Sequence, residues 1–157
     1  MNTLAALFDH HRWANERLLE ACRGLTEEQL GTSVPGTYGA LGATLAHIAS
    51  GDVFYTQLLT RPWRPSTAWQ QDDPYPGVDE LLEVVRETGA RLLAAAERMP
   101  GEETIERDPG ERIPVRVILV QAINHGTEHR AHATTILTQL GITPPAIDGW
   151  EHGGYPG

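Results

Sequence analysis

The stretch Ile123-Asn124-His125-Gly126-Thr127-Glu128-His129-Arg130 decides how the chain is read. Its two histidines stand four residues apart, in register with Ile118, Ala122, Ile136 and Leu140. Apolar residues recurring every three or four positions mark one face of a helix. The segment therefore predicts a helix from about Pro114 to Leu140, with Gly141 as its stop and both imidazoles on the buried ridge. Residues at i and i+4 have Cβ atoms about 5–6 Å apart. Such a pair can place two ring nitrogens on one divalent ion and leaves the rest of its shell open.

Three further segments share this periodicity. The first runs from Thr3 to Arg23, with Leu4, Leu7, Phe8, His11, Asn15, Leu18 and Cys22 on one face, and Gly24 stops it. Thr26-Glu27-Glu28-Gln29 then reads as a capping box for a short extra turn. The second runs from Tyr38 to Leu59, with Thr37 as its N-cap and Arg61-Pro62 as its end. Its inward stripe is Ala40, Thr44, His47, Gly51, Phe54 and Leu58. The third runs from Val78 to Met99 and is closed by Pro100-Gly101. The Pro- and Trp-containing stretch 62–77 is long for a connection inside a bundle and reads as a crossover with a functional or a merely connecting role. Residues 101–112 read as a loop or a short extended pair, and 143–157 as irregular. The fold class is all-α: a four-helix bundle with a long crossover between helices two and three, formed by residues 1–157 as a single domain.

Composition narrows the function. The chain has 157 residues, 40% hydrophobic and 21% charged, with a formal net charge of -9. All 12 basic residues are arginine and none form a stripe, so nucleic-acid binding is disfavoured. Cys22 is the sole cysteine, which excludes an internal disulfide and suits a small buried side chain. The start, Met1-Asn2-Thr3-Leu4, lacks the pattern of a signal peptide, and no apolar run approaches a membrane span. The expectation is a cytoplasmic protein without membrane partners.

Seven histidines in 157 residues give about 0.3 pairs at this spacing by chance. Placement adds what spacing lacks. Unpaired imidazoles on an apolar face are costly, and either an ion or hydrogen bonds would satisfy them. His47, on the inward stripe of the second helix, is the best third ligand, with Gly51 and Gly126 leaving space nearby. His11 lies on the inward face of the first helix, as a core residue or a helper to the site. His132 extends the polar ridge and is a weaker ligand candidate. His10 and His152 read as surface residues. The pattern His125-x-x-Glu128-His129 also fits that of inverted zinc peptidases. Glu128 falls about 100° around the helix from His129, however, and points off the ridge.

The residues resemble the DinB-like superfamily of metalloenzymes, which includes bacillithiol and mycothiol transferases. The resemblance runs to about Trp150. Leu7-Phe8-Asp9-His10-His11-Arg12-Trp13-Ala14-Asn15-Glu16-Arg17-Leu18-Leu19 is similar to the family's opening, Thr44-Leu45-Ala46-His47-Ile48 to its first ligand segment, and 123–130 to its H-x-x-x-H-R segment. Carried over by position, it implies metal ligands His47, His125 and His129, a four-helix bundle, a nickel or zinc ion and a homodimer. Many members follow H-R with Gly-Gln, where this chain has Ala131-His132.

The resemblance implies a metal-dependent S-transferase that activates a small-molecule thiol for attack on a small electrophile. Two alternatives use the same residues: hydrolysis by a metal-bound water, and a non-enzymatic stress-response protein that only binds metal.

Overall fold

The computed structural model describes residues 2–67, 69, 73–98 and 102–155. The described elements are α1 (Thr3–Ala21), α2 (Glu27–Leu30), α3 (Leu41–Thr60), α4 (Val78–Arg98), β1 (Thr104–Asp108), β2 (Glu111–Pro114), α5 (Val115–Gln139) and α6 (Gly149–Gly153). The long helices α1, α3, α4 and α5 correspond to the four periodic segments. Helix α1 packs on α4 and α5, and α3 packs on the same two, so the four close into a bundle with α1 diagonal to α3.

Local chemistry sets the ends. Asn2 accepts from the Ala5 amide at 2.8 Å and starts α1. The Thr26–Gln29 capping box forms as expected around α2. Gly24 and Gly141 follow α1 and α5 at φ 81° and 73°, a left-handed conformation that glycine adopts at little cost.

Several expectations need correction. Helix α3 starts at Leu41, with Ala40 as a cap that makes no side-chain bond. The Thr37 hydroxyl donates to the Val34 carbonyl at 2.7 Å instead of capping a helix, which leaves Tyr38 outside α3. Pro114 closes β2 and precedes α5. Residues 104–114 take the extended alternative, as an antiparallel hairpin. The tail is not wholly irregular, because the Asp148 carboxylate accepts from the amides of Trp150 and Glu151 and nucleates α6. Leu7 and Phe54 are 46% and 42% exposed, so the stripes of α1 and α3 are narrower than their periodicity suggests. Met99, Pro100 and Gly101, expected to end the third helix, lie outside the described residues.

The crossover is tied to α4. Trp63 Nε1 donates to Glu87 Oε1 at 2.9 Å, and the Ser66 amide and hydroxyl both donate to Glu87 Oε2. Trp69 is buried and donates from Nε1 to the Pro74 carbonyl.

The interior is not one apolar core. One hydrophobic layer gathers Leu18, Leu45, Ile48, Val85, Ile136 and Leu137. The other gathers Phe8, Tyr55, Leu92, Leu119 and Ala122. Between them every long helix changes to polar or minimal side chains: His11 and Asn15 in α1, Asp52 in α3, Thr88 and Gly89 in α4, and 125–130 in α5. Each fully buried large apolar side chain contributes about 1.5–3 kcal/mol. The two layers thus clamp a polar slab that would not assemble alone. The candidate site lies in and beside this slab.

Candidate metal centre

Helices α3 and α5 pack side by side and bring together His47, His125 and His129. One potential ligand atom from each ring lies within 4.8 Å of the others. His125 Nε2 stands 3.1 Å from His47 Nε2. The His129 ring centroid is 4.6 Å from that of His47 and 4.5 Å from that of His125.

This approach depends on Gly51. A Cβ there would fall 2.3 Å from His125 Cε1, closer than any side chain tolerates. Gly126 makes the same kind of room for His11, since a Cβ there would fall 2.3 Å from His11 Cε1.

Burial pushes the His125 imidazole down to about 4, and the neighbouring His129 and His47 push the same way. Burial also lowers His129 and His47, with His47 and His132 adding to the effect on His129. All three rings are therefore neutral at pH 7 and carry lone pairs. His125 Nδ1 is buried and has no hydrogen-bond partner. Converging neutral imidazoles form a donor set that suits zinc, nickel or copper rather than magnesium or calcium. The residues present fit a divalent ion of that class.

A second polar group lies behind His125. His11 Nε2 is 3.0 and 3.1 Å from the two Asp52 carboxylate oxygens. Asn15 Nδ2 donates to Asp52 Oδ2 at 3.0 Å. Arg130 Nη1 donates to Asn15 Oδ1 at 2.7 Å and lies 3.2 Å from His11 Nδ1. A guanidinium only donates, so His11 Nδ1 accepts and the ring's proton faces Asp52. Burial pulls Arg130 down to about 10, partly offset by Asp52, and it stays charged. The sequence pattern singled out His11 but not its partners Asp52 and Arg130. Their signal was a charged residue at a buried helical position. His11 is 1% exposed with both nitrogens engaged, so it stands behind the site and does not enter it.

Tyr38 is a further site residue that the sequence pattern did not mark. Its ring stacks on His47 at 4.0 Å and meets His129 edge-on at 5.0 Å. It borders a cleft of about 630 Å³ lined by Leu30, Ala46, His47, Ser50, Pro74 and Tyr75, among others. The crossover thus supplies some of the wall beside the histidines.

The remaining histidines are elsewhere. His132 Nδ1 is 3.4 Å from His129 Nδ1 and outside the ligand group. His10 and His152 are half-buried rather than plain surface residues. His10 Nε2 meets the Ile147 carbonyl at 2.9 Å, and His152 pairs with Asp9 at 3.3 Å, joining the tail to α1. Glu128 is exposed and not among the converging groups, so a peptidase would lack its base.

Fold and site together define a helical bundle with a three-histidine cluster at the edge of a cleft. The chain belongs to the DinB family, which it matches over residues 1–154. In three dimensions it is similar to a DinB-like protein from Bacillus cereus ATCC 10987, at a TM-score of 0.63 and 18% identity, over 88% of this chain and 91% of that one. At that identity the likeness speaks for the fold alone. No curated protein sequence matches the chain. No described helix is long and apolar enough to cross a membrane.

Proposed function

We propose that the protein is a metal-dependent transferase that joins a low-molecular-weight thiol to a small electrophile. His47, His125 and His129 hold a nickel or zinc ion. The observation that carries this reading is the convergence of three neutral imidazoles beside a cleft of about 630 Å³. A purely structural site would have no use for that adjoining space.

A divalent ion held by His47, His125 and His129 would supply the Lewis acidity that lowers the pKa of a thiol substrate. The chain's own residues do the rest. Gly51 lets the His125 ring seat against α3. Tyr38 covers the His47 ring, and Tyr75 and Pro74 bound the space for the electrophile. In the reaction the thiol proton passes to solvent and a sulfur–carbon bond forms. The leaving group departs with the electron pair of the bond that breaks.

The test is conjugation of bacillithiol, mycothiol and glutathione to a chromogenic electrophile by zinc- or nickel-loaded protein, against metal-free protein. Metal-dependent conjugation with at least one thiol is expected. Turnover of ester or amide substrates without a thiol would replace this reading with a hydrolytic one. A loaded protein inert in both assays would leave only metal binding.

A further inference from the structure

The metal reading leaves one nitrogen of each ligand ring to be accounted for, and the three ligands differ there. His125 Nδ1 is buried without a partner. His47 is stacked beneath Tyr38, and its hydrogen-bond contact is with His125 inside the cluster. His129 alone of the three has a side-chain hydrogen-bond contact outside the cluster among the described residues: its Nδ1 lies 3.4 Å from His132 Nδ1.

Two ring nitrogens at that distance make a hydrogen bond only if one carries the proton and the other a lone pair. His129 Nδ1 is taken up by His132, so Nε2 is the nitrogen left for the cluster. To offer a lone pair at Nε2, His129 must keep its proton on Nδ1. His132 Nδ1 is placed to accept that proton's hydrogen bond. One helical turn separates the two residues, so the backbone of α5 fixes their spacing. The rings meet nearly edge to face, with centroids 5.3 Å apart and an interplanar angle of 69°.

We infer that His132 is a positioning residue: it accepts the Nδ1 proton of His129 and holds that ring in the tautomer whose Nε2 faces the metal. This rests on the proposal that His47, His125 and His129 hold an ion. Outer partners of this kind fix ring orientation and tautomer and raise ligand basicity. His132 is half-buried and in neither apolar layer, so its removal leaves the fold in place.

The experiment is a zinc titration of the full-length metal-free chain in competition with a chromophoric chelator. It compares wild type, His129→Ala, His132→Ala and His132→Gln. His132→Ala is expected to weaken zinc binding by about 10–100-fold. His132→Gln, whose Oε1 can accept the same proton, is expected to recover most of that loss. The thermal midpoint of the metal-free protein should be the same for wild type and both His132 variants. Equal affinity of His132→Ala and wild type, or equal weakening by Ala and Gln, overturns the inference while the metal site stands. Failure of wild type to take up zinc, or undiminished binding by His129→Ala, overturns the metal reading and this inference with it.

Discussion

Two histidine groups share the polar layer of this bundle, and they are finished to different degrees. Around His11 both ring nitrogens, both Asp52 oxygens and the Asn15 amide have protein partners, and Arg130 joins them across the bundle's diagonal. Around His125 the nitrogens face one another, and one is buried with nothing to bond. Helices α3 and α5 contribute to both groups, and α1 joins only the completed one. A completed network staples α1, α3 and α5 together. The incomplete one has ring nitrogens that a bound ion would engage. Gly51 makes room for His125 against α3 and Gly126 for His11 against α5, since any side chain there would push that ring away.

Breaking the completed group should have the largest effect on stability. Asp52→Ala leaves Arg130 buried without its counter-charge and is expected to cost about 3–5 kcal/mol, read by urea unfolding of the metal-free protein. A loss below about 1 kcal/mol would mean that the network is not a staple. Gly51→Ala comes next. The His125 ring must swing away from α3, at a cost of about 1–3 kcal/mol from overpacking, and zinc affinity should fall with it. Unchanged affinity would show that the ring's seat does not matter.

Acidity sharpens the contrast from the other side. His125 sits near 4 in the folded chain, below its ordinary 6.5, because of burial and then its histidine neighbours. The unfolded chain therefore takes up this proton first as pH falls. Stability present above about 6.5 should be lost progressively towards about 4 in the metal-free protein. His125→Ala should flatten that stretch of the pH profile in thermal melts. The smallest effect is expected at Tyr38. Its ring is 51% exposed, so Tyr38→Ala should change stability by no more than about 0.5 kcal/mol. It should instead raise KM for the electrophile, and an unchanged KM would remove Tyr38 from the substrate wall.

Much of this was legible in the sequence for a physical reason. The four long helices carry the 3.6-residue period, and the His125–His129 pair lies on one ridge of one of them. His47 was readable as the third partner because it falls on a buried stripe. What was not legible depends on contacts between distant positions. Asn15 and Asp52 stand 37 residues apart, and Asn15 and Arg130 stand 115 apart. No local pattern links them. The stripes themselves held a hint, since each is interrupted by polar or small residues at the level where the slab forms. Tyr38 was misplaced for a different reason. Thr37 has the residue type of a helix cap, but its hydroxyl donates to the Val34 carbonyl, and Tyr38 stacks on His47 from outside α3.

The central claim is that the unfinished histidine group is completed by a metal ion. Elemental analysis of the purified protein beside His129→Ala tests it most directly. The expected result is about one divalent ion per chain in the wild type, and its loss from a variant that keeps its helical circular dichroism. Undiminished metal content in His129→Ala would contradict the claim.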